Sequence, residues 1–326
     1  MNTLPVHRWL TFVDSWPPSS VEYLLDCIRI ESSEVVYDPF VGSGTTPAVC
    51  ANRGLMTVSA DRSNLAVLTT RIKLEHPSVE EVDSVKDIVK DIGPKVLLQY
   101  FAGNTLSHHT SASTLHILQF VLAAAVLRIG WDGGTDLELD RVEKEIGKLT
   151  LEMRTDIEAR LVKQPAHSVS CCEFLAADLN HLLPFAGRLA MISSPPFFGS
   201  NTNPTIQRIA DLLGEPAVRQ TEVRRSPTWE VPEARPILDS VSAGSELYDD
   251  VADYLYFLDC IVSHASAIGC RAVGVEMGPK SVGDVLLPFD AFVAQRLRAN
   301  GYEIGVFKTV ELEPEVSTVV CAQRRQ

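Results

Sequence analysis

A chain of 326 residues, 45% hydrophobic and 22% charged, carries enough apolar material for a large core without disulfide or metal staples. Its 29 basic and 42 acidic residues leave a formal charge of −13, which argues against a general basic surface for nucleic acid and leaves open a local basic cleft. The longest apolar stretch, 117–127, is broken by Gln119 and ends at Arg128, too short for a membrane span of about 20 residues. The first nine residues lack the basic start and apolar run of a secretory signal. Seven scattered cysteines (27, 50, 171, 172, 260, 270 and 321) include no Cys-x-x-Cys pair, and none of the eight histidines falls in a metal-ligand pattern. Reduced thiols in a cytoplasm, with no metal, is the expectation.

In chain order, Ser19 and Glu22 have the spacing of a capping box and predict a helix start. Glu34-Val35-Val36-Tyr37 predicts a strand that runs into Asp38-Pro39-Phe40-Val41-Gly42-Ser43-Gly44-Thr45-Thr46. A second strand over 56–60 ends at Asp61, and a helix over 64–74 stops before Pro77. Strand, Gly-rich turn, helix, strand and acid make half of a doubly wound nucleotide-binding fold. Residues 78–165 change character. Leu139, Val142, Ile146, Leu149, Met153, Ile157 and Leu161 form one apolar stripe along a helix, to be covered by a neighbour in the same chain, for which 115–129 is the natural candidate, or by a second copy. The α/β pattern then resumes with strands over 173–177, ending at Asp178, and over 189–193, ending at Ser194-Pro195-Pro196-Phe197. A polar stretch over 199–247, a helix over 248–267, a strand over 271–276, a helix over 289–299 and a hairpin from 303 to 322 complete the chain. The reading is a Rossmann-like α/β domain, 1–77 and 166–326, with a helical insertion over 78–165.

The segment 38–46 carries the strongest chemical signal. Gly42 and Gly44 let backbone approach a ligand, and the helix start offers N–H groups to an anion, with the Thr45 and Thr46 hydroxyls beside them. A phosphate loop wants Lys after its last glycine, where Thr45 stands, and a dinucleotide fingerprint wants Gly or Ala where Pro47 stands. A zwitterion such as the methionine end of S-adenosylmethionine remains, with Asp38 for its ammonium. Asp61, 23 residues on, is placed to grip ribose hydroxyls or to cap a helix. In Ser194-Pro195-Pro196-Phe197 the prolines remove backbone donors, the Ser194 hydroxyl and the Pro195 carbonyl can accept from a planar amine, and Phe197 offers a stacking face.

Asp-Pro-Phe-Val-Gly-Ser-Gly-Thr-Thr together with Ser-Ser-Pro-Pro-Phe resembles the prokaryotic amino-group DNA methyltransferases, which modify N4 of cytosine or N6 of adenine. The resemblance covers about 5–75 and 170–322, and implies a class I methyltransferase sheet. It implies S-adenosylmethionine bound by Asp38, Pro39, Phe40, Gly42, Ser43, Gly44, Thr45, Thr46 and Asp61, with Asp178 at its adenine amine and 17–21 beside its methionine moiety. It assigns Ser194, Pro195, Pro196 and Phe197 to the target amine; Ser before Pro-Pro goes with N4-cytosine more often than with N6-adenine. Where relatives end the fifth strand in Asn-Ser, this chain has Glu276-Met277. The partner implied is DNA; an RNA base-amine methyltransferase and a non-catalytic protein of the same fold, binding a partner through its insert, are the alternatives. Arg219, Arg224 and Arg225 could line a phosphate path or decorate a solvated loop. The insert carries ten basic and fourteen acidic residues over 80–163, a net −4 that disfavours a DNA-binding face there.

Overall fold

A computed structural model describes residues 6, 9–10, 16–75, 77–97, 111–130, 137–159, 167–171, 182–196, 198, 209, 229–241, 245–277, 280–282, 285–312 and 315–325. Its strands are β1 (Val35–Asp38), β2 (Met56–Asp61), β3 (His167–Cys171), β4 (Leu189–Ser193), β5 (Ala272–Met277), β6 (Lys280–Val282), β7 (Val285–Leu287), β8 (Tyr302–Leu312) and β9 (Glu315–Arg324). Seven of them form one sheet in the order β3-β2-β1-β4-β5-β9-β8. The first five are parallel, β9 runs antiparallel between β5 and the edge, and β8 pairs antiparallel with β9. This is the Rossmann-like class I methyltransferase sheet. Sequence order reverses between β1 and β4, so the switch point, where ligands of such sheets bind, lies between the carboxyl ends of those two strands.

β1 is buried along its whole length. Val35 and Tyr37 enter one apolar cluster and Val36 another, the period-two alternation of a strand covered on both faces. The longer helices are α1 (Pro18–Cys27), α2 (Thr45–Asn52), α3 (Asn64–Glu75), α4 (Val79–Ile92), α5 (Ala112–Arg128), α6 (Leu139–Glu158), α7 (Glu246–Ala267) and α8 (Phe289–Ala299), of which α1, α2, α7 and α8 cover the central strands. On one face Val251, Leu255 and Leu258 of α7 and Phe289 and Phe292 of α8 pack on the strands. On the other, Val21, Leu24 and Leu25 of α1 and Val49 of α2 do the same.

One local expectation is corrected, one falls outside the described residues, and one element is additional to those expected. Ser19 and Glu22 do not cap α1: Pro17 is the N-cap without a side-chain bond, Pro18 takes the first helical position, and Glu22 pairs with Arg53 at 3.0 Å. A proline suits that position because its missing N–H would have no helical partner anyway. A capping box does exist, between Ser78 and Glu81 at the start of α4. The third parallel strand is His167–Cys171, upstream of the expected 173–177, which lies outside the described residues. An antiparallel β6–β7 ribbon, unannounced by the pattern, stands between β5 and α8.

The described residues of 78–165 include α4, α5 and α6, and the described apolar stripe of α6 is covered within the chain. Val142, Ile146, Leu149 and Met153 of α6 pack with Ile117, Phe120 and Val121 of α5 and Val82, Val85 and Val89 of α4. Arg128 at the end of α5 reaches Glu145 and Glu152 of α6 at 3.4 and 2.8 Å. The same cluster takes in Leu65 and Ile72 of α3 and Ala48 of α2, so the insert sits on the helices that flank the glycine turn. Buried Trp9 joins it and donates its indole N–H to Asp156 of α6 at 2.7 Å.

Candidate active site

At the end of β1 the chain turns through Pro39 to Val41, whose N–H donates to the Ala60 carbonyl at 3.0 Å and ties the turn to β2. Gly42 and Gly44 have φ of +51° and +81°, the left-handed region that side chains resist. Gly44 is doubly constrained, because a Cβ there would lie 2.8 Å from the Thr70 hydroxyl of α3. It is also the N-cap of α2, so Thr45 and Thr46, both buried, open the helix at the carboxyl edge of the sheet. A helix start facing a ligand crevice is a ready site for an anion.

Asp38 is buried, and its Oδ1 accepts from the Phe40 N–H at 3.1 Å and from the Ser193 hydroxyl at 2.6 Å. Burial pushes its carboxyl up to about 6; hydrogen bonds from Ser193, Thr46 and Phe40 oppose that shift, and Asp61 adds to it. Such a carboxyl gains by meeting a cation. Asp61, half-buried, accepts from the Gly42 N–H and the Ser63 N–H, both at 2.9 Å. It therefore braces the glycine turn and the segment entering α3, where Ser63 Oγ accepts from the Ala66 N–H at 3.3 Å; second lone pairs on both Asp61 oxygens keep ribose contacts chemically open.

The second expected motif lies beside the first. Ser193 ends β4 next to β1, and Ser194, Pro195 and Pro196 follow: Ser194 half-buried, Pro195 buried, Pro196 exposed. The Ser193–Asp38 bond, two buried groups on adjacent strands, joins the motifs directly. Ser20 at the start of α1 donates to Glu276 at the end of β5 at 3.4 Å, which brings the 17–21 segment to the same edge. Phe197, Asp178, Arg219, Arg224 and Arg225 lie outside the described residues. Among the described residues no group of His, Cys, Asp and Glu is disposed to hold a metal ion, and no helix is long and apolar enough to cross a membrane.

Lys73 went unnoticed in the sequence. A basic residue in the last turn of a helix reads as solvated, yet Lys73 is buried and donates to the Leu10 and Ser43 carbonyls at 2.6 and 2.7 Å. It ties the glycine turn to the N-terminal segment, and burial pushes its ammonium down to about 7.

No protein-family model matches the chain, and no curated protein matches it. Among solved structures, magnesium protoporphyrin IX methyltransferase (ChlM) from Synechocystis PCC 6803 with bound SAM is similar over 94% of this chain and 77% of that one, at 9% identity and a TM-score of 0.40. The same enzyme with bound SAH gives 94% and 81% coverage, 10% identity and a TM-score of 0.38. The fold assignment above stands on the strand order and direction.

Proposed function

We propose that the protein is an S-adenosylmethionine-dependent methyltransferase acting on an exocyclic base amine of DNA, N4 of cytosine in preference to N6 of adenine. The observation that carries this reading is the 2.6 Å bond from Ser193 to Asp38 across the switch point. It sets the Ser194–Pro195–Pro196 corner one residue from the carboxylate suited to a ligand ammonium. The donor set fits the cofactor: a buried carboxylate for its ammonium, the start of α2 for its carboxylate, Asp61 for its ribose. Asp178 beside the adenine and Phe197 under the target base belong to the same reading.

When bound, the cofactor supplies a methyl group activated on a sulfonium. Ser194 Oγ and the Pro195 carbonyl accept the two N–H bonds of the acceptor amine, which aims its lone pair along the line of transfer and loosens that lone pair from the ring. Transfer would break the methyl–sulfonium bond and leave the cofactor a neutral thioether, and one of those N–H protons would pass to water. Arg219, Arg224 and Arg225 are assigned to phosphate, against the −13 charge of the chain. An RNA acceptor remains the second reading, since the same corner suits any base amine. The test is incubation with labelled cofactor and DNA or RNA, digestion to nucleosides and mass assignment. N4-methylcytosine from DNA is expected; label confined to RNA moves the substrate, and no label with either leaves a binding protein of the same fold.

A further inference from the structure

Two prolines stiffen the acceptor corner locally, yet give its backbone no N–H with which to tie itself to the rest of the fold. Neither Pro195 nor Pro196 has an N–H, so the backbone there offers carbonyls alone, and only a donor from another element can pin it. Tyr254 of α7 supplies one: its hydroxyl donates to the Pro196 carbonyl at 2.9 Å. The ring that carries this hydroxyl is itself fixed. Its centroid lies 4.8 Å from that of Phe289, 5.4 Å from that of Phe198 and 5.9 Å from that of Phe257. Phe257, one helical turn on from Tyr254, in turn meets Phe40 of the glycine-turn motif at 5.6 Å, edge on. Burial keeps the phenol protonated well above its ordinary range, so it stays a donor. The helix presenting it is anchored at its start, where Ser245 Oγ accepts from the Tyr248 N–H at 3.1 Å.

We propose that Tyr254 is the positioning residue of the acceptor corner: its hydroxyl engages the Pro196 carbonyl and so leaves the Pro195 carbonyl and Ser194 as the pair that meets the amine. The inference rests on the methyltransferase reading for its catalytic consequence; the anchoring itself is measurable without it. The experiment is Tyr254→Phe, which keeps the ring and removes one hydrogen bond. Hydrogen–deuterium exchange of the peptide covering 189–198 should rise about 3- to 10-fold, the effect of one ordinary hydrogen bond, while 272–277 in β5 stays unchanged. Single-turnover methyl transfer should slow by a similar factor with cofactor Kd within about twofold. Tyr254→Leu, which removes ring and hydroxyl, should exceed both effects. Unchanged exchange at 189–198 in Tyr254→Phe overturns the proposal whatever the activity. Faster exchange in a protein whose wild type methylates nothing sinks the functional reading and leaves Tyr254 as the anchor of the corner.

Discussion

Asp38 concentrates the electrostatics of the site. Its carboxyl titrates near 6 in the free protein, and a ligand ammonium beside it favours the ionised form. Cofactor affinity should therefore rise with pH up to about 6 and level off above it, and binding just below that pH should release a proton; calorimetry in buffers of different ionisation enthalpy measures both. Asp38→Asn should weaken binding by about 10- to 100-fold, the worth of one charge-assisted hydrogen bond. Lys73 acts on stability with its own sign. Its folded value of about 7 lies below the ordinary lysine value of 10.5, so folding favours the neutral amine. Stability should rise with pH between about 7 and 10.5, where the unfolded chain holds a proton that the folded one has released, and be level on either side of that window. Lys73→Met should flatten that slope in urea titrations at a series of pH values. Asp38 was readable from its place before Gly-x-Gly. Lys73, Ser193 and Tyr254 were not, because a helical lysine, a second serine and a tyrosine in an amphipathic helix carry no local mark of what they touch.

At the scale of elements, the glycine turn is the least replaceable piece. Gly44→Ala meets a left-handed φ of +81° and the Thr70 hydroxyl at 2.8 Å at once. It should lower stability by about 1 to 3 kcal/mol, the range for such strain, and weaken cofactor binding. Thermal unfolding with and without cofactor separates the two effects. The central strands β1, β2, β4 and β5 and the helices α3, α7 and α8 follow from periodicity within one or two residues, since burial on both faces forces continuous apolar runs. β3 escaped because an edge strand needs no such run: His167-Ser168-Val169-Ser170-Cys171 looks like a linker beside the more apolar segment that follows. The α1 cap was misjudged because serines after two prolines suggest side-chain capping where the proline itself starts the helix.

Across the whole molecule, the insert helices share one apolar cluster with Leu65 and Ile72 of α3 and Ala48 of α2, and Trp9 pins the N-terminal segment to α6. Leu149→Ala should cost about 2 to 5 kcal/mol, as for other buried leucines, and shift a single urea transition followed by both circular dichroism and tryptophan fluorescence. Two separated transitions would mean that the insert folds as a unit of its own. The broad architecture was readable because its two periodicities, strand and helix, alternate in sequence and break only at the insert. What a linear reading lacks is adjacency: β1 and β4 are 150 residues apart in the chain and neighbours in the sheet. That neighbourhood brings the two motifs together, and single-turnover methyl transfer with preloaded cofactor tests whether they act as one site. The account requires Ser194→Ala to bind cofactor within about twofold of wild type and to transfer at least about tenfold more slowly, an acceptor being lost only at the amine. Transfer at the wild-type rate by Ser194→Ala would contradict it.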